Sequence, residues 1–175
     1  MTTTWRTQKP GGDEHAAFYT GYIQEAPGPD VLATLERQGT EFAAFVRGIP
    51  EVRGDHRYAP GKWSIKDVVQ HLSDAERVFS YRLLRFARKD PANLPGFDEN
   101  TYVREANAGL RTLAQLADEW AAVRRSSVAL IAPLCDEVMA RRGSANGHEI
   151  SVRALTWILA GHVAHHEKVL RERYL

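Results

Sequence analysis

Leu155-Thr156-Trp157-Ile158-Leu159-Ala160-Gly161-His162-Val163-Ala164-His165-His166-Glu167-Lys168-Val169-Leu170 reads as one amphipathic helix, and it carries three of the chain's seven histidines within five residues. An α-helix advances about 100° per residue. With His162 as origin, Leu155 lies at about +20°, Leu159 at about +60°, Val169 at about −20° and Leu170 at about +80°. His166 falls at about +40°, inside this apolar stripe, and His165 at about −60°, at its edge. His162 and His166 therefore stand where a core helix carries Leu or Val. An imidazole buried there needs partners for both ring nitrogens. Two imidazoles one helical turn apart can share a metal ion through one nitrogen each, with a hydrogen bond on the other. Two core histidines bonded to carbonyls or carboxylates are the structural alternative. His165 reads as a flanking residue.

Outward from this helix the chain divides into three more. Asp30 can cap a first helix through about residue 48, with Val31, Leu32, Leu35, Phe42, Phe45 and Val46 on its apolar face. Ser64-Ile65-Lys66-Asp67 resembles a capping box with Asp in place of Glu, opening a second helix to about residue 89. Thr112-Leu113-Ala114-Gln115 is another box, opening a third helix to about residue 132. Ser151 caps the last. A short helix is expected over 99–107. Residues 49–62, 90–111 and 133–150 are rich in Pro and Gly and connect the long helices, with a turn over 141–149. Residues 1–29 read as an irregular N-terminal arm, and 30–175 as one all-α domain, a four-helix bundle with long connections. There is no internal repeat and no low-complexity tract.

Composition narrows the function. The chain has 175 residues, 43% of them hydrophobic and 26% charged, and a formal net charge of +1. That is an ordinary globular make-up with a size sufficient for a full core. A near-neutral charge gives no electrostatic footprint for nucleic acid. The basic run Arg82, Arg85, Arg88, Lys89 reads as a solvated helix face. The single cysteine, Cys135, excludes an internal disulfide or a thiolate cluster and reads as a small buried hydrophobe beside Leu134 and Val138. A metal must then be held by His, Asp or Glu. No run has the length of a membrane span and the N-terminus lacks an apolar leader, so the expectation is a cytoplasmic protein without membrane partners.

A bundle brings side chains of several helices to one point, so a third ligand is sought on the second helix. Periodicity prefers Glu76, at about +40° from Leu72 on the apolar stripe, to His71, at about −100°. A carboxylate at that position could ligate, could orient a ligating histidine, or could form a buried ion pair with an arginine. His15, His56 and His148 fall in loops and read as solvated.

Trp63-Ser64-Ile65-Lys66-Asp67-Val68-Val69-Gln70-His71-Leu72-Ser73-Asp74-Ala75-Glu76 resembles the start of the second helix of the DinB-like superfamily. Leu155–Leu170 resembles that family's last helix. The two motifs occur in the family's order and separation, and the resemblance spans roughly residues 30–175. It implies an up-up-down-down four-helix bundle, often homodimeric, with one divalent metal ion, commonly zinc or nickel. Its ligands carry over onto His71, His162 and His166. The mycothiol-dependent isomerase branch has a glutamate first in the last pair; His162 here is similar to the all-histidine branch that includes bacillithiol S-transferase.

Three functions follow as expectations. The first is a metal-dependent thiol S-transferase of stress or detoxification, joining a low-molecular-weight thiol to an electrophile. The second is metal-assisted hydrolysis with Glu76 as catalytic general base. The third is a non-enzymatic, stress-associated metal-binding protein. A homodimer is implied by the resemblance, with the apolar residues of the first helix as one candidate surface.

Overall fold

Four polar side chains start the four long helices of the computed structural model, which describes residues 4–175. Asp30 accepts the amide of Ala33 at the head of α2 (Val31–Gly48), after a short α1 (Thr20–Glu25). Ser64 accepts that of Asp67 at α3 (Ile65–Ala87), and the Asp67 carboxylate accepts the Ser64 amide in return. Thr112 and Gln115 make the same reciprocal box at α5 (Leu113–Ile131), which follows a short α4 (Glu99–Ala106). Ser151 caps α7 (Val152–Val169), beyond α6 (Asp136–Met139). Each cap satisfies amides that have no partner inside the helix. All four long helices begin where their caps are written.

The turn expected over 141–149 is an antiparallel hairpin, β1 (Arg142–Ala145) and β2 (His148–Ser151). Asn146 and Gly147 between the strands both have positive φ, the conformation a two-residue hairpin turn demands.

The long helices pack as a ring in the order α2, α5, α3, α7, so that α2 faces α3 and α5 faces α7 across the diagonals. The class is the expected all-α four-helix bundle with long connections. The helix directions differ from the up-up-down-down order. Arg47 pairs with Asp118 and Gln38 with Arg124, so α2 and α5 are antiparallel. Gln70 meets Arg111, Arg77 meets Glu119 and Ser80 meets Ser127, so α3 and α5 are parallel. His71 meets His166, and Phe79 meets His162, so α3 and α7 are antiparallel. The directions are up, down, down, up. All three inter-helix segments are long enough to cross the bundle, so their lengths alone do not distinguish the two orders.

The N-terminal arm is more ordered than an irregular lead-in. Trp5, Ile23 and Ala26 are buried in the same cluster as Leu155 and Ile158 of α7, and α1 lies directly along α7. Of the apolar face of α2 considered for a dimer surface, Leu35, Phe42 and Val46 are fully buried and Phe45 is half-buried. Cys135 is exposed rather than buried, because it precedes α6 at the surface.

Candidate metal centre

His71 lies on α3 and His162 and His166 on α7, and the three imidazoles meet. The Nε2 atoms of His71 and His162 are 3.2 Å apart, and those of His166 and His162 are 3.1 Å apart. One nitrogen from each ring can be chosen so that all lie within 4.8 Å of one another. One lone pair or one proton on His162 Nε2 cannot serve both neighbours with linear hydrogen bonds. Protonation is no remedy. Burial holds the His71 imidazole well below its ordinary value, at about 4. Burial, with His71 and His165 nearby, holds His166 at about 3. His162 is pushed well below 6.5 by burial and then by its histidine neighbours.

A cation bound among the three rings would resolve the arrangement. Tetrahedral zinc with nitrogen ligands at about 2.0–2.1 Å sets its donor atoms about 3.3 Å apart. The two Nε2 separations found here fit that spacing, and three neutral imidazoles are a suitable donor set.

Two local features position this cluster. Gly161 lets α1 approach α7: a Cβ there would sit 1.7 Å from the Tyr22 carbonyl oxygen. That approach brings the Tyr22 ring edge-on to His162, 5.1 Å between centroids. At the other end, Tyr174 donates its hydroxyl hydrogen to the Trp63 carbonyl (2.9 Å), tying the C-terminus to the start of α3. The Trp63 ring then lies 4.7 Å from that of His71. His165, the flanking residue, points to Glu25 with Nδ1 2.9 Å from the carboxylate.

Linkage gives these buried neutral imidazoles a pH signature. In the unfolded chain they take up protons near 6.5, while in the folded protein His71 does so only at about 4 and His166 at about 3. Between those values the unfolded state binds more protons, so stability rises with pH. Metal-free protein should therefore keep this contribution above pH 6.5 and lose it progressively as pH falls toward 4. Urea titrations from pH 7.5 to 4.5 on wild type and on a His71→Phe/His166→Leu variant check it, the variant showing the shallower loss.

The cluster opens into a cavity of about 380 Å³. Aromatic residues from the arm (Phe18, Tyr19, Tyr22), from Trp63, from α3 (Phe79) and from the segment before α4 (Phe97) dominate its wall. Arg82, Glu99 and Asn146 supply polar groups. Sequence reasoning placed Arg82 on a solvated face; it is 4% exposed, because the 90–98 segment folds over it and takes its hydrogen bond at the Pro95 carbonyl (2.8 Å). Glu99 and the arm residues were not singled out in the sequence: Glu99 only opens the expected short helix over 99–107, and the arm has no periodicity to read.

Glu76 does not line this cavity. Its carboxylate is held by Arg124, with Oε1 2.8 Å from Nε and Oε2 2.9 Å from the terminal nitrogen. Of the roles considered for it, the structure holds the buried ion pair. Burial pushes the Glu76 carboxyl above its ordinary value and the guanidinium opposes this. Arg124 also donates to Gln38 Oε1 (3.0 Å) and to the Leu159 carbonyl (3.2 Å), and Gln38 donates to the Ala160 carbonyl (2.8 Å). One network thus joins all four long helices beside the first histidine of α7.

None of the curated proteins compared with the chain matches it. A solved structure of YfiT from Bacillus subtilis is described as a probable metal-dependent hydrolase with an unusual four-helix bundle topology. It superposes with a TM-score of 0.66 at 18% sequence identity, covering 94% of this chain and 92% of that one. The superposition establishes a common fold, and at that identity it establishes the fold alone. The model of the DinB superfamily matches residues 34–170, which hold both histidine-bearing helices. The chain belongs to the DinB superfamily.

Proposed function

We propose that this protein binds one divalent cation, zinc or nickel, through His71, His162 and His166, and uses it in small-molecule thiol S-transfer. One observation carries the reading: three neutral imidazoles converge at the wall of an aromatic-lined cavity. Three protein ligands leave a coordination position for a reactant, as catalytic rather than closed structural sites do. When bound, the cation lowers the pKa of a ligating thiol or water.

The chain's own residues do the rest. The imidazoles are neutral at pH 7 and ready to ligate. Trp63, Tyr22 and Phe79 flank the cluster, exclude water and strengthen electrostatic interactions there. Cys135 is exposed and does not line the cavity, so the sulfur would come from a small thiol. Its thiolate attacks an electrophilic carbon, a carbon–sulfur bond forms, and a halide leaves or an epoxide C–O bond opens and its oxygen takes a proton. This chemistry needs no side-chain base beside the histidines, and Glu76 is committed to Arg124.

The test is turnover by metal-loaded protein of 1-chloro-2,4-dinitrobenzene and of an epoxide, with cysteine, glutathione, bacillithiol and mycothiol offered in turn. Conjugate formation that depends on metal and on His162 is expected. Its absence with every thiol would overturn the transferase reading.

Hydrolysis is the second reading. The observation favouring it is Glu99, a carboxylate that does line the cavity and would replace Glu76 as general base. Metal-dependent ester cleavage without thiol, lost in Glu99→Gln, would select it.

A further inference from the structure

Arg82 is a buried cation without a partner of opposite charge. It is 4% exposed, and among the described residues no carboxylate forms an ion pair with it. The contrast with Arg124 is sharp, since that equally buried guanidinium is matched by Glu76. A buried charge is tolerated when it is paired and hydrogen-bonded. Arg82 has five N–H donors, and the protein offers it two neutral acceptors, the Pro95 carbonyl and the Tyr19 hydroxyl. The guanidinium sits between Phe79 and Phe97, its central carbon 5.9 Å from each ring centroid. Tyr19 lies beside it. Glu99, the acidic group of the same cavity, is exposed and does not form an ion pair with it.

The position of Arg82 relative to the histidines is set by α3. His71, Ala75, Phe79 and Arg82 follow one another at helical spacing and all line the one cavity. Eleven residues of helix separate the first and last Cα by about 16 Å. Side chains lean toward the helix N-terminus, so the guanidinium leans back toward the histidines. Between the two ends stand Phe79 and the aromatic residues of the arm. The cavity is thus cationic at one end, metal-ligating at the other and apolar between.

We propose that this cavity takes a carboxylate-bearing small molecule lengthwise, its carboxylate on Arg82, its apolar body against Phe79, and its reacting group at the histidines. A carboxylate matches the planar fork of a guanidinium with two parallel hydrogen bonds. The position of the reacting end rests on the metal-centre reading above; the anion site at Arg82 does not.

The probes are 4-(mercaptomethyl)benzoate and its neutral counterpart 4-methylbenzyl mercaptan, which share the thiol and ring and differ in the carboxylate. They are titrated into cobalt(II)-loaded protein and followed by thiolate-to-cobalt absorption. The carboxylate probe is expected to bind about 10- to 100-fold more tightly, the effect of a charge-assisted hydrogen bond to a buried partner. Arg82→Gln should remove that preference while leaving neutral-thiol binding intact, and Arg82→Lys should retain part of it. Equal affinity of the two probes for wild type, or an undiminished preference in Arg82→Gln, overturns the proposal.

A second arm needs no metal. Binding of 4-methylbenzoate and 4-methylbenzamide to metal-free protein is compared by NMR chemical-shift titration. Preference for the carboxylate that disappears in Arg82→Gln supports the anion site; no preference overturns it. Protein that shows no cobalt spectrum yet keeps this preference would refute the metal reading and leave the Arg82 site standing.

Discussion

Replacing Glu76 by glutamine is expected to lower the stability of the protein by about 3–5 kcal/mol, the loss seen when one partner of a buried ion pair is removed. Glu76 and Arg124 are 2% and 1% exposed, so the guanidinium left behind cannot reach water. The loss spreads, because Arg124 also holds Gln38 and the Leu159 carbonyl. For a chain of this size about 2–4 °C of melting temperature accompanies each kcal/mol. Calorimetry should therefore show a fall of roughly 6–20 °C. The double variant Glu76→Leu/Arg124→Met should be less damaged than either single change, since it leaves no unpaired charge. A general base would behave otherwise: Glu76→Gln would melt like wild type and lose turnover alone.

The same residue shows where sequence reading reached and where it stopped. Caps and periodicity located all four long helices, because Asp30, Ser64, Thr112 and Ser151 act locally. The angular position of His162 and His166 followed from one helix considered alone. On α3 the same arithmetic preferred Glu76 to His71, and both residues are buried. An angular stripe assumes one buried face, yet this stretch of α3 is covered by α5 on one side and α7 on another, with Trp63 against His71. Residues on different sides of α3 then meet different neighbours: His71 faces the histidines of α7, and Glu76 faces Arg124 of α5. Only the family resemblance pointed to His71. Helix direction, the fold of the arm and the burial of Arg82 were illegible for a related reason. Each depends on which distant segment packs against which, as when residues 90–98 close over Arg82.

His162→Ala should abolish the stabilisation that divalent metal confers. His162 Nε2 is the atom that approaches both other imidazoles, at 3.2 and 3.1 Å, so its loss removes the middle donor and leaves two ligands on different helices. A ligand that binds only the folded state stabilises it by about 4 kcal/mol when present at 1,000 times its dissociation constant. Wild type saturated with zinc or nickel should thus melt roughly 8–16 °C above its chelator-treated form. In His162→Ala that difference should fall to near zero, whatever the chelator-treated variant loses from the cavity its buried ring leaves beside Tyr22 and Phe79. His165→Ala is the control: its ring is bonded to Glu25, and the metal-dependent shift should survive. Scanning fluorimetry with added metal, paired with elemental analysis of dialysed protein, separates the outcomes. A His162→Ala protein that retained both the shift and one ion per chain would place the metal elsewhere and remove the basis for chemistry at this cavity.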